Sequence, residues 1–484
     1  MIDPPGALQL VMMTMDAGYS ARPSLSANAW RVMELPLIID AAEMRREFRL
    51  KTTMAPLTEQ RSKPMPHPDL VAHAEQTRKD IVDLAPGIWT AVGYAASNVH
   101  MIEGAGSVTI IDTTESTKAA RNILTEFGKL TKKPIGRIIY THSHRDHISG
   151  ATVFSDGSVP IYASHSFSSD LIEVTPGRIA PMKALGRRTR AQFGIGLEPD
   201  ERISLGCGPS DRPTEGLGAG YLAPTNWVTE DRDLDLDGVQ ARLLHVPGET
   251  ADHMVVWLPE AEVLFCGDNW YHAFPNLYAI RGTPFRDFAA WAGSLQLLAE
   301  LKAKVMAPGH TRPVFGEDKV RLVLTTTRDA ILHVMRVTAE GMDQGLPLDD
   351  IVDAIALPPD LADKPWLKEF YGKLSWSARA FAAGTLGWYD GNPTNLGTLS
   401  SNARARKMAE LAGGTEALLR AAETTSDLQW RLELCDHLIA LGEAATAAAE
   451  ALKAKAMREL AETEINATAR NSYLWEAKRL EKGE

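Results

Sequence analysis

The sequence predicts an α/β layered domain followed by an all-helical region. From Leu84 to about Pro313, short apolar runs that fit buried strands alternate with segments of helical spacing. Several of these runs end in a histidine or a carboxylate, as catalytic α/β domains often do. From Gly316 onward the helical spacing continues without strands, as in the stretch from Leu322 to Ala339. The chain has 484 residues, of which 44% are hydrophobic, which is enough for two or three domains with sizeable cores.

The first elements of the layered domain can be predicted individually. Three apolar runs indicate neighbouring strands of one sheet: 88–92, 98–102 and 108–112. Thr117 to Leu130 is predicted to be a helix, because Ala120, Ile123 and Phe127 fall on one face. The predicted organisation is therefore an extended, polar lead-in over residues 1–83, a layered domain over 84–315 and a helical domain over 316–484.

A segment rich in Gly and Pro runs from about Val174 to Glu230. Loops of this length in compact domains are usually functional or disordered. A surface excursion is one interpretation. We favour a lid or rim, in which Arg187, Arg188 and Tyr221 face a substrate.

The most informative stretch runs from Thr141 to His147, directly after an apolar run. It holds three imidazoles and one carboxylate: His142, His144, Asp146 and His147. A strand that leads into such a turn can aim the first two at one metal ion and the last two at a second. These ligand types suit Zn²⁺, with Mn²⁺ or Fe²⁺ as alternatives. A chance histidine cluster on a solvated loop is the competing interpretation.

Three later segments argue against chance, because each places a further ligand type after an apolar strand. Glu249 follows the run 239–245 and a Pro-Gly turn, Asp268 ends the run that begins at Val263, and His310 ends the run that begins at Val305. The carboxyl ends of strands are where α/β folds collect their chemistry. We therefore expect the seven side chains to converge.

With these residues in place, the chain resembles the metallo-β-lactamase superfamily, whose signature is H-x-H-x-D-H followed by three later ligands. Glu249 stands where most members have His, and in this it is similar to the alkylsulfatase branch. Three further segments are similar to that branch: Asn276–Tyr278 with Arg281 and Gly282, Ala223–Asn226, and Leu386–Pro393. The resemblance extends from about Leu84 to the C-terminus.

This resemblance implies an αββα sandwich followed by an all-α dimerisation domain, and two Zn²⁺ ions. It would place His142, His144 and Glu249 on one ion and Asp146, His147 and His310 on the other, with Asp268 bridging. Asp146 and Asp268 are the candidate catalytic residues, since the bridging carboxylate can orient a water that two metals activate. Asn276 would donate to the outer oxygens of a bound sulfate.

The chain departs from this branch at two positions. Members usually have a histidine after a Tyr-Gly pair, thought to protonate the leaving alcohol, whereas this chain has Trp376, which has no titratable proton for that step. The sulfate-binding Arg expected further along falls at Ala383 or Gly384. Trp376 and Arg379 are kept as candidate substrate contacts, although a solvated Arg379 is the simpler interpretation.

Three other polar residues have structural roles as their simplest interpretation. Asp112 is expected to accept hydrogen bonds near the metal motif. His253 lies four residues after Glu249 and is expected to orient a ligand rather than to bind metal. His272 could line the pocket or simply pack. The three cysteines are far apart, so neither a disulfide framework nor a thiolate zinc site is indicated.

The predicted function is that of a binuclear zinc hydrolase that cleaves a sulfate ester of an organic alcohol with a metal-activated water. One alternative is a hydrolase of the same fold that acts on a carboxylic ester, lactone, β-lactam or phosphoester. Another is a di-iron redox protein or a metal-binding dimer without hydrolytic activity, although the sequence shows no flavin or redox-partner domain.

Charge and hydropathy narrow the possible partners. A net charge of −11 argues against nucleic acid, because phosphate binding needs clustered Lys and Arg. No run of about 18 apolar residues is present, so no membrane span is expected. The N-terminus has no basic residue before its short apolar run, which favours the cytoplasm over secretion.

The helical region indicates a homodimer, with a monomeric helical cap as the alternative. Alkylsulfatases commonly continue into a third domain that resembles a sterol carrier. The sequence ends at Glu484 without it, which weakens the expectation of long-chain detergent substrates.

Overall fold

The computed structural model describes residues 65–167, 181–442 and 444–483. Residues 1–64 of the predicted lead-in and residues 174–180 of the predicted insert lie outside them. The described part of the lead-in is not simply extended. It forms helix α1 (Pro68–His73) and the start of a strand at Asp80. Pro68 occupies the first helical turn, where its missing N–H costs nothing, and His67 Nδ1 accepts from the Asp69 amide at the cap.

Two sheets form the layered domain. The first has seven strands, β1 to β7, hydrogen-bonded in sequence order: Asp80–Ala85, Ile88–Val92, Val99–Glu103, Val108–Ile111, Ile135–Ile139, Ile161–Ser164 and Asn226–Val228. The second has six strands, β8 to β13, in the order β13-β12-β11-β10-β9-β8: Arg232–Asp235, Gln240–His245, Met254–Leu258, Val263–Gly267, Val305–Pro308 and Val314–Phe315. The strands β4 to β7 pair in parallel, as do β11 and β12, and the other pairs are antiparallel.

Helices cover the outer faces of both sheets. They are α2 (Thr117–Leu130), α3 (Arg145–Ile148), α4 (Ala151–Phe154), α6 (Phe288–Glu300) and α7 (Glu317–Asp343). Helix α5 (Met182–Gln192) packs instead against the last helix of the described chain. Ile123 and Phe127 of α2 pack on the first sheet, and Trp291 and Leu295 of α6 pack on the second. A third set of apolar side chains, including Phe265, fills the space between the sheets. The αββα sandwich is therefore confirmed, and the helix predicted at Thr117 to Leu130 has those bounds.

The rest of the described chain is helical. Its helices are α8 (Leu348–Ala354), α9 (Pro359–Ala362), α10 (Leu374–Leu386), α11 (Ser401–Ala412), α12 (Thr415–Thr424), α13 (Leu428–Leu441), α14 (Thr446–Thr463) and α15 (Ala467–Lys482). Helices α12 and α13 are separate, because Asp427 accepts from the Trp430 amide and starts a new helix. Helix α7, placed at the start of the helical region in the sequence, shares a hydrophobic core with α6 and the second sheet.

Helices α10 and α15 pack against α7 and α5, respectively, so the helical region lies directly on the sandwich. Among the residues that the structure describes, no helix is long and apolar enough to cross a membrane.

Candidate metal centre and active site

The loop that carries the first four predicted ligands is held by Asp112. This residue follows β4 with a φ of 58°, a conformation that few residues other than Gly adopt. Its two carboxylate oxygens accept from the amide and the hydroxyl of Thr141, each at 2.8 Å, and from His147 Nδ1 at 2.8 Å. The bond to Nδ1 leaves Nε2 of His147 free to face the interior. Asp112 thus orients both ends of the loop, in the accepting role predicted for it.

One candidate metal group consists of His142, His144 and Asp268, whose ligand atoms lie within 4.8 Å of one another. His142 Nε2 lies 3.0 Å from His144 Nδ1 and 3.5 Å from Asp268 Oδ2. Asp268 is presented by the turn that ends β11, where His253 Nε2 accepts from its amide at 3.0 Å. His253 therefore positions a ligand in this structure rather than joining the group.

A second candidate group consists of Asp146, His147 and His310. Asp146 Oδ2 lies 3.7 Å from His147 Nε2 and 3.4 Å from His310 Nε2. Asp268 Oδ2 lies 3.3 Å from His147 Nε2 and 3.1 Å from His310 Nε2, in addition to its approach to His142. The carboxylate of Asp268 thus lies between the two groups, where a bridging ligand would be.

The residues fit a pair of cations. Two buried polar atoms of the groups, His147 Nε2 and Asp268 Oδ1, have no hydrogen-bond partner within the described chain. The same is true of Glu249 Oε2 beside them. Imidazole nitrogens and carboxylate oxygens are the donors that divalent transition metals bind. Burying such atoms without a partner is costly, and coordination would remove that cost.

The electrostatics of the groups point the same way. Burial opposes protonation of His147, yet Asp268, Asp112 and Asp146 raise its pKa well above the ordinary value. Burial would likewise raise the pKa of Asp268, but His147 and His310 hold it well below the usual range. The carboxylates therefore create a negative electrostatic potential around the buried imidazoles. A bound cation would be stabilised by that potential.

Glu249 lies beside the first group, and its binding to a metal ion stays a prediction. It belongs to neither group, and its Oε1 lies 3.8 Å from His144 Nδ1 but 3.0 Å from Arg286 Nη1. Both side chains of this ion pair are almost fully buried. Burial raises the pKa of Glu249 to about 7, and the Arg286 charge opposes that rise. Arg286 was missed in the sequence, where nothing distinguishes it from a surface arginine.

A second missed residue is Arg281. Burial lowers the pKa of His144 well below its ordinary value, and the charges of Arg281 and then Arg286 add to this effect. The amide of Arg281 donates to Gln192 Oε1 at 2.8 Å, which ties it to α5. Its signal in the sequence was the Arg281–Gly282 similarity, although the cation was expected in the later helix.

The predicted substrate contacts are not gathered at one place. Asn276 is buried beside the site, where its backbone amide donates to Tyr271 Oη at 2.7 Å and its backbone carbonyl accepts from Arg286. Tyr221 packs on Tyr140 against the outer face of the first sheet, with ring centroids 6.4 Å apart, which is a packing position rather than a rim over the metals.

The two candidates on α10 have partners away from the metal groups. Arg379 donates to Asp349 at 2.6 Å, and both side chains are at least half exposed. The ring of Trp376 is partly buried and lies 5.7 Å from Lys373 Nζ. Substrate contact by either residue stays a prediction.

His272 also has partners of its own. Its carbonyl accepts from His73 Nε2 at 2.6 Å, and its amide donates to Thr311 Oγ1 at 3.1 Å. The ring lies beside those of His73 and Trp366. Packing is the role that these contacts support.

Comparisons with known proteins agree with this geometry. The family profile described as metallo-beta-lactamase superfamily matches residues 92–310, and the one described as alkyl sulfatase dimerisation matches residues 348–483. The chain is 36% identical to a linear primary-alkylsulfatase of Pseudomonas sp. (strain ATCC 19151) over 79% of this chain and 73% of that protein. It is 30% identical to an (R)-specific secondary-alkylsulfatase of Pseudomonas sp. over 83% of this chain and 63% of that protein, less than two thirds of the relative's length.

Among solved structures, the stereoselective inverting sec-alkylsulfatase Pisa1 of Pseudomonas sp. superposes with a TM-score of 0.78 at 29% identity. The similarity covers 86% of this chain and 68% of that one. It therefore includes the helical region as well as the sandwich.

Proposed function

The chain belongs to the alkylsulfatase family of the metallo-β-lactamase superfamily, a family of metal-dependent sulfuric ester hydrolases, and we propose that it cleaves sulfate esters of organic alcohols at a pair of zinc ions. The observation that carries this proposal is the position of Asp268, whose Oδ2 lies within 3.5 Å of His142, His147 and His310. A carboxylate shared between two imidazole groups is the arrangement that a bridged metal pair requires.

His142, His144 and Asp268 would hold one ion, and Asp146, His147 and His310 the other, with Asp268 shared. When bound, two such ions would lower the pKa of a water to about 7 and neutralise charge on the ester oxygens. Asp268 would orient that water, and Asp112 keeps His147 in the tautomer that presents Nε2. Glu249 adds a carboxylate beside His144, and Arg286 balances its charge.

Arg281 supplies the cation that the sulfate needs. Its charge helps to lower the pKa of His144, and a planar guanidinium can pair with two oxygens of an oxyanion at once. Asn276 lies on the same turn-rich segment and is buried beside the site, so its side chain is the second candidate donor. This proposal gives the sulfate an arginine other than Arg379, which the sequence offered only as a candidate substrate contact.

The finer proposal for assembly is a homodimer through the region that matches the dimerisation profile. Within it, the segment Leu386–Leu399 exposes large apolar side chains, among them Leu386 at 69%, Trp388 at 76% and Leu396 at 63%. Its own hydrogen bonds hold its shape, since Asp390 accepts from the amide of Asn392 at 3.0 Å. A preformed apolar segment of this kind is typical of a surface that another protein covers.

The test of the enzymatic proposal is release of inorganic sulfate from a panel of short and long alkyl sulfates by zinc-loaded protein, with bound zinc counted by mass spectrometry. We expect sulfate release with two equivalents of zinc per chain. His142→Ala and His310→Ala should each lower the zinc content and abolish release.

His165→Ala is the matched control, because His165 packs near His245 and belongs to neither group. A protein that holds two equivalents of zinc and releases no sulfate from any member of the panel would contradict the proposal. So would undiminished zinc content in His142→Ala.

A further inference from the structure

The connection between β2 and β3 contacts both loops of the second metal group. Its residues Ala96, Ser97 and Asn98 are all buried, and they are called the clamp from here on. The Ala96 carbonyl accepts from His310 Nδ1 at 2.7 Å, and Ser97 Oγ donates to the Asp146 carbonyl. Asn98 Nδ2 donates to the carbonyls that flank His310, those of Pro308 at 2.9 Å and Thr311 at 2.7 Å. The clamp therefore spans the two ligand loops.

A buried ion pair holds the clamp in turn. The Ala96 amide donates to Glu115 Oε1 at 3.0 Å, and the same oxygen lies 2.6 Å from Arg212 Nε. The side chains of Glu115 and Arg212 are 7% and 4% exposed. One carboxylate oxygen thus joins the backbone of the clamp to an arginine that lies far along the chain.

Arg212 comes from the Gly-rich insert, whose described part is tied down at this point. Gly218 donates its amide to the Glu115 carbonyl at 2.9 Å, and Ser116 Oγ donates to the Pro213 carbonyl at 2.9 Å. Gly208 runs so close to the clamp that a Cβ there would lie 2.7 Å from the Ala96 carbonyl oxygen. This part of the insert passes beside the site as a brace, which differs from the lid predicted from sequence.

We propose that Glu115 and Arg212 are positioning residues that hold His310, through Ala96, in the orientation that binds the second cation. The proposal rests on the proposed function, since it assigns a role to residues around the same metal pair. With Nδ1–H donated to Ala96, the ring presents Nε2 toward Asp146 and Asp268 at 3.4 and 3.1 Å. Outer partners of metal-binding histidines fix the tautomer and the ring plane in this way.

If Glu115 and Arg212 only stabilised the fold, replacing both of them would leave the affinities for the two cations unchanged. Replacing both members of a buried ion pair by apolar residues is often neutral for stability. The double variant Glu115→Leu/Arg212→Leu is therefore expected to fold, but it leaves the Ala96 amide without its acceptor. Under the positioning role, the clamp moves and one of the two cations binds more weakly.

The experiment titrates the metal-free double variant with Zn²⁺ in competition with a chromogenic chelator, and with Co²⁺ while its visible absorption is recorded. We expect one of the two affinities to fall by about 10- to 100-fold, with a changed Co²⁺ spectrum for that site only. Arg212→Lys keeps a cation beside Glu115 and should recover most of the affinity. If that double variant does not fold, Glu115→Met/Arg212→Met gives the same comparison, because methionine is closer in length to the native side chains and also leaves the Ala96 amide without its carboxylate acceptor.

Arg458→Leu/Glu481→Leu is the matched control, since it removes a partly buried ion pair, 2.8 Å apart, in the helical region. It should leave both affinities unchanged. A folded Glu115/Arg212 double variant with two wild-type affinities would overturn the positioning role and leave the proposed function intact. A wild-type protein that binds fewer than two cations would overturn both.

Discussion

Arg286 Nη1 lies 3.0 Å from Glu249 Oε1, and the two side chains are 2% and 3% exposed. Glu249 stands where most members of the superfamily have histidine. This chain therefore has an additional carboxylate at that position. The buried guanidinium of Arg286 balances the negative charge of Glu249. Glu249 Oε1 still lies 3.8 Å from His144 Nδ1. The two residues are expected to depend on each other.

This dependence can be measured with a double-mutant cycle of Glu249→Gln and Arg286→Met in metal-free protein at pH 8. Removing Arg286 alone leaves an uncompensated buried carboxylate and should lower the free energy of unfolding by about 3–5 kcal/mol. Glu249→Gln in the Arg286→Met background should recover part of that loss, with a coupling of about 1–3 kcal/mol. Additive effects of the two substitutions in urea unfolding would contradict the pairing.

Arg281 is expected to act on the substrate rather than on the metal. Arg281→Met should lower kcat/KM for an alkyl sulfate by about 10- to 150-fold, the equivalent of one charge-assisted hydrogen-bonding group of about 1.5–3 kcal/mol, with zinc content unchanged. Arg281→Lys should recover only part of this, because an ammonium cannot pair with two oxygens in a plane. Arg379→Met is the control and should change kcat/KM less than twofold, given the exposed pair that Arg379 forms with Asp349. A larger effect at Arg379 than at Arg281 would reverse the assignment.

Gly372 should tolerate no side chain. A Cβ there would lie 2.0 Å from the Pro275 carbonyl oxygen, on the segment that leads into Asn276. Gly372→Ala must push two backbone segments apart and should cost about 1–3 kcal/mol of unfolding free energy, with a higher KM for the sulfate ester. Gly293→Ala is the matched control in α6, where a Cβ would meet nothing within 4 Å, and it should stabilise the protein by up to about 1 kcal/mol. Equal melting temperatures for the two variants would show that the contact is not tight.

His73 should make the protein sensitive to acid. Burial lowers its pKa to about 4, whereas an unfolded histidine titrates near 6.5. As the pH falls from 6.5 to 4, the unfolded chain takes up a proton that the folded chain refuses, so stability falls over this window by up to about 3 kcal/mol. His73→Gln keeps an N–H for the His272 carbonyl and should lose less stability between pH 7 and pH 4.5 in urea unfolding. An identical pH dependence in both proteins would exclude His73 as the cause.

The exposed apolar segment should control assembly. Trp388→Asp places a charge on a side chain that is 76% exposed, so it should leave the fold intact and convert a dimer to a monomer in light scattering. Trp227→Asp is the control, an exposed tryptophan on β7 of the sandwich. A Trp388→Asp protein that stays dimeric would place the interface elsewhere in the helical region.

Pattern in the chain was sufficient for the fold class and for most residues of the two candidate metal groups. A strand or helix that buries one face repeats its apolar residues every two or 3.6 positions, respectively. The alternation of strands and helices can therefore be recognised from local sequence. The candidate ligands His142, His144, Asp146 and His147 lie within six positions, and Asp268 and His310 follow recognisable strands, so their convergence could be anticipated.

The partners of these residues depended on the tertiary structure. Arg286 meets Glu249, and Arg212 meets Glu115, only because segments far apart in the sequence come together in the fold. An arginine that will be buried has the same side chain as one that will be solvated, and no local period marks it. Contacts between distant segments cannot be read from local sequence. For this reason Tyr221 and Arg379 were predicted as substrate contacts from the sequence, and Arg281 was not.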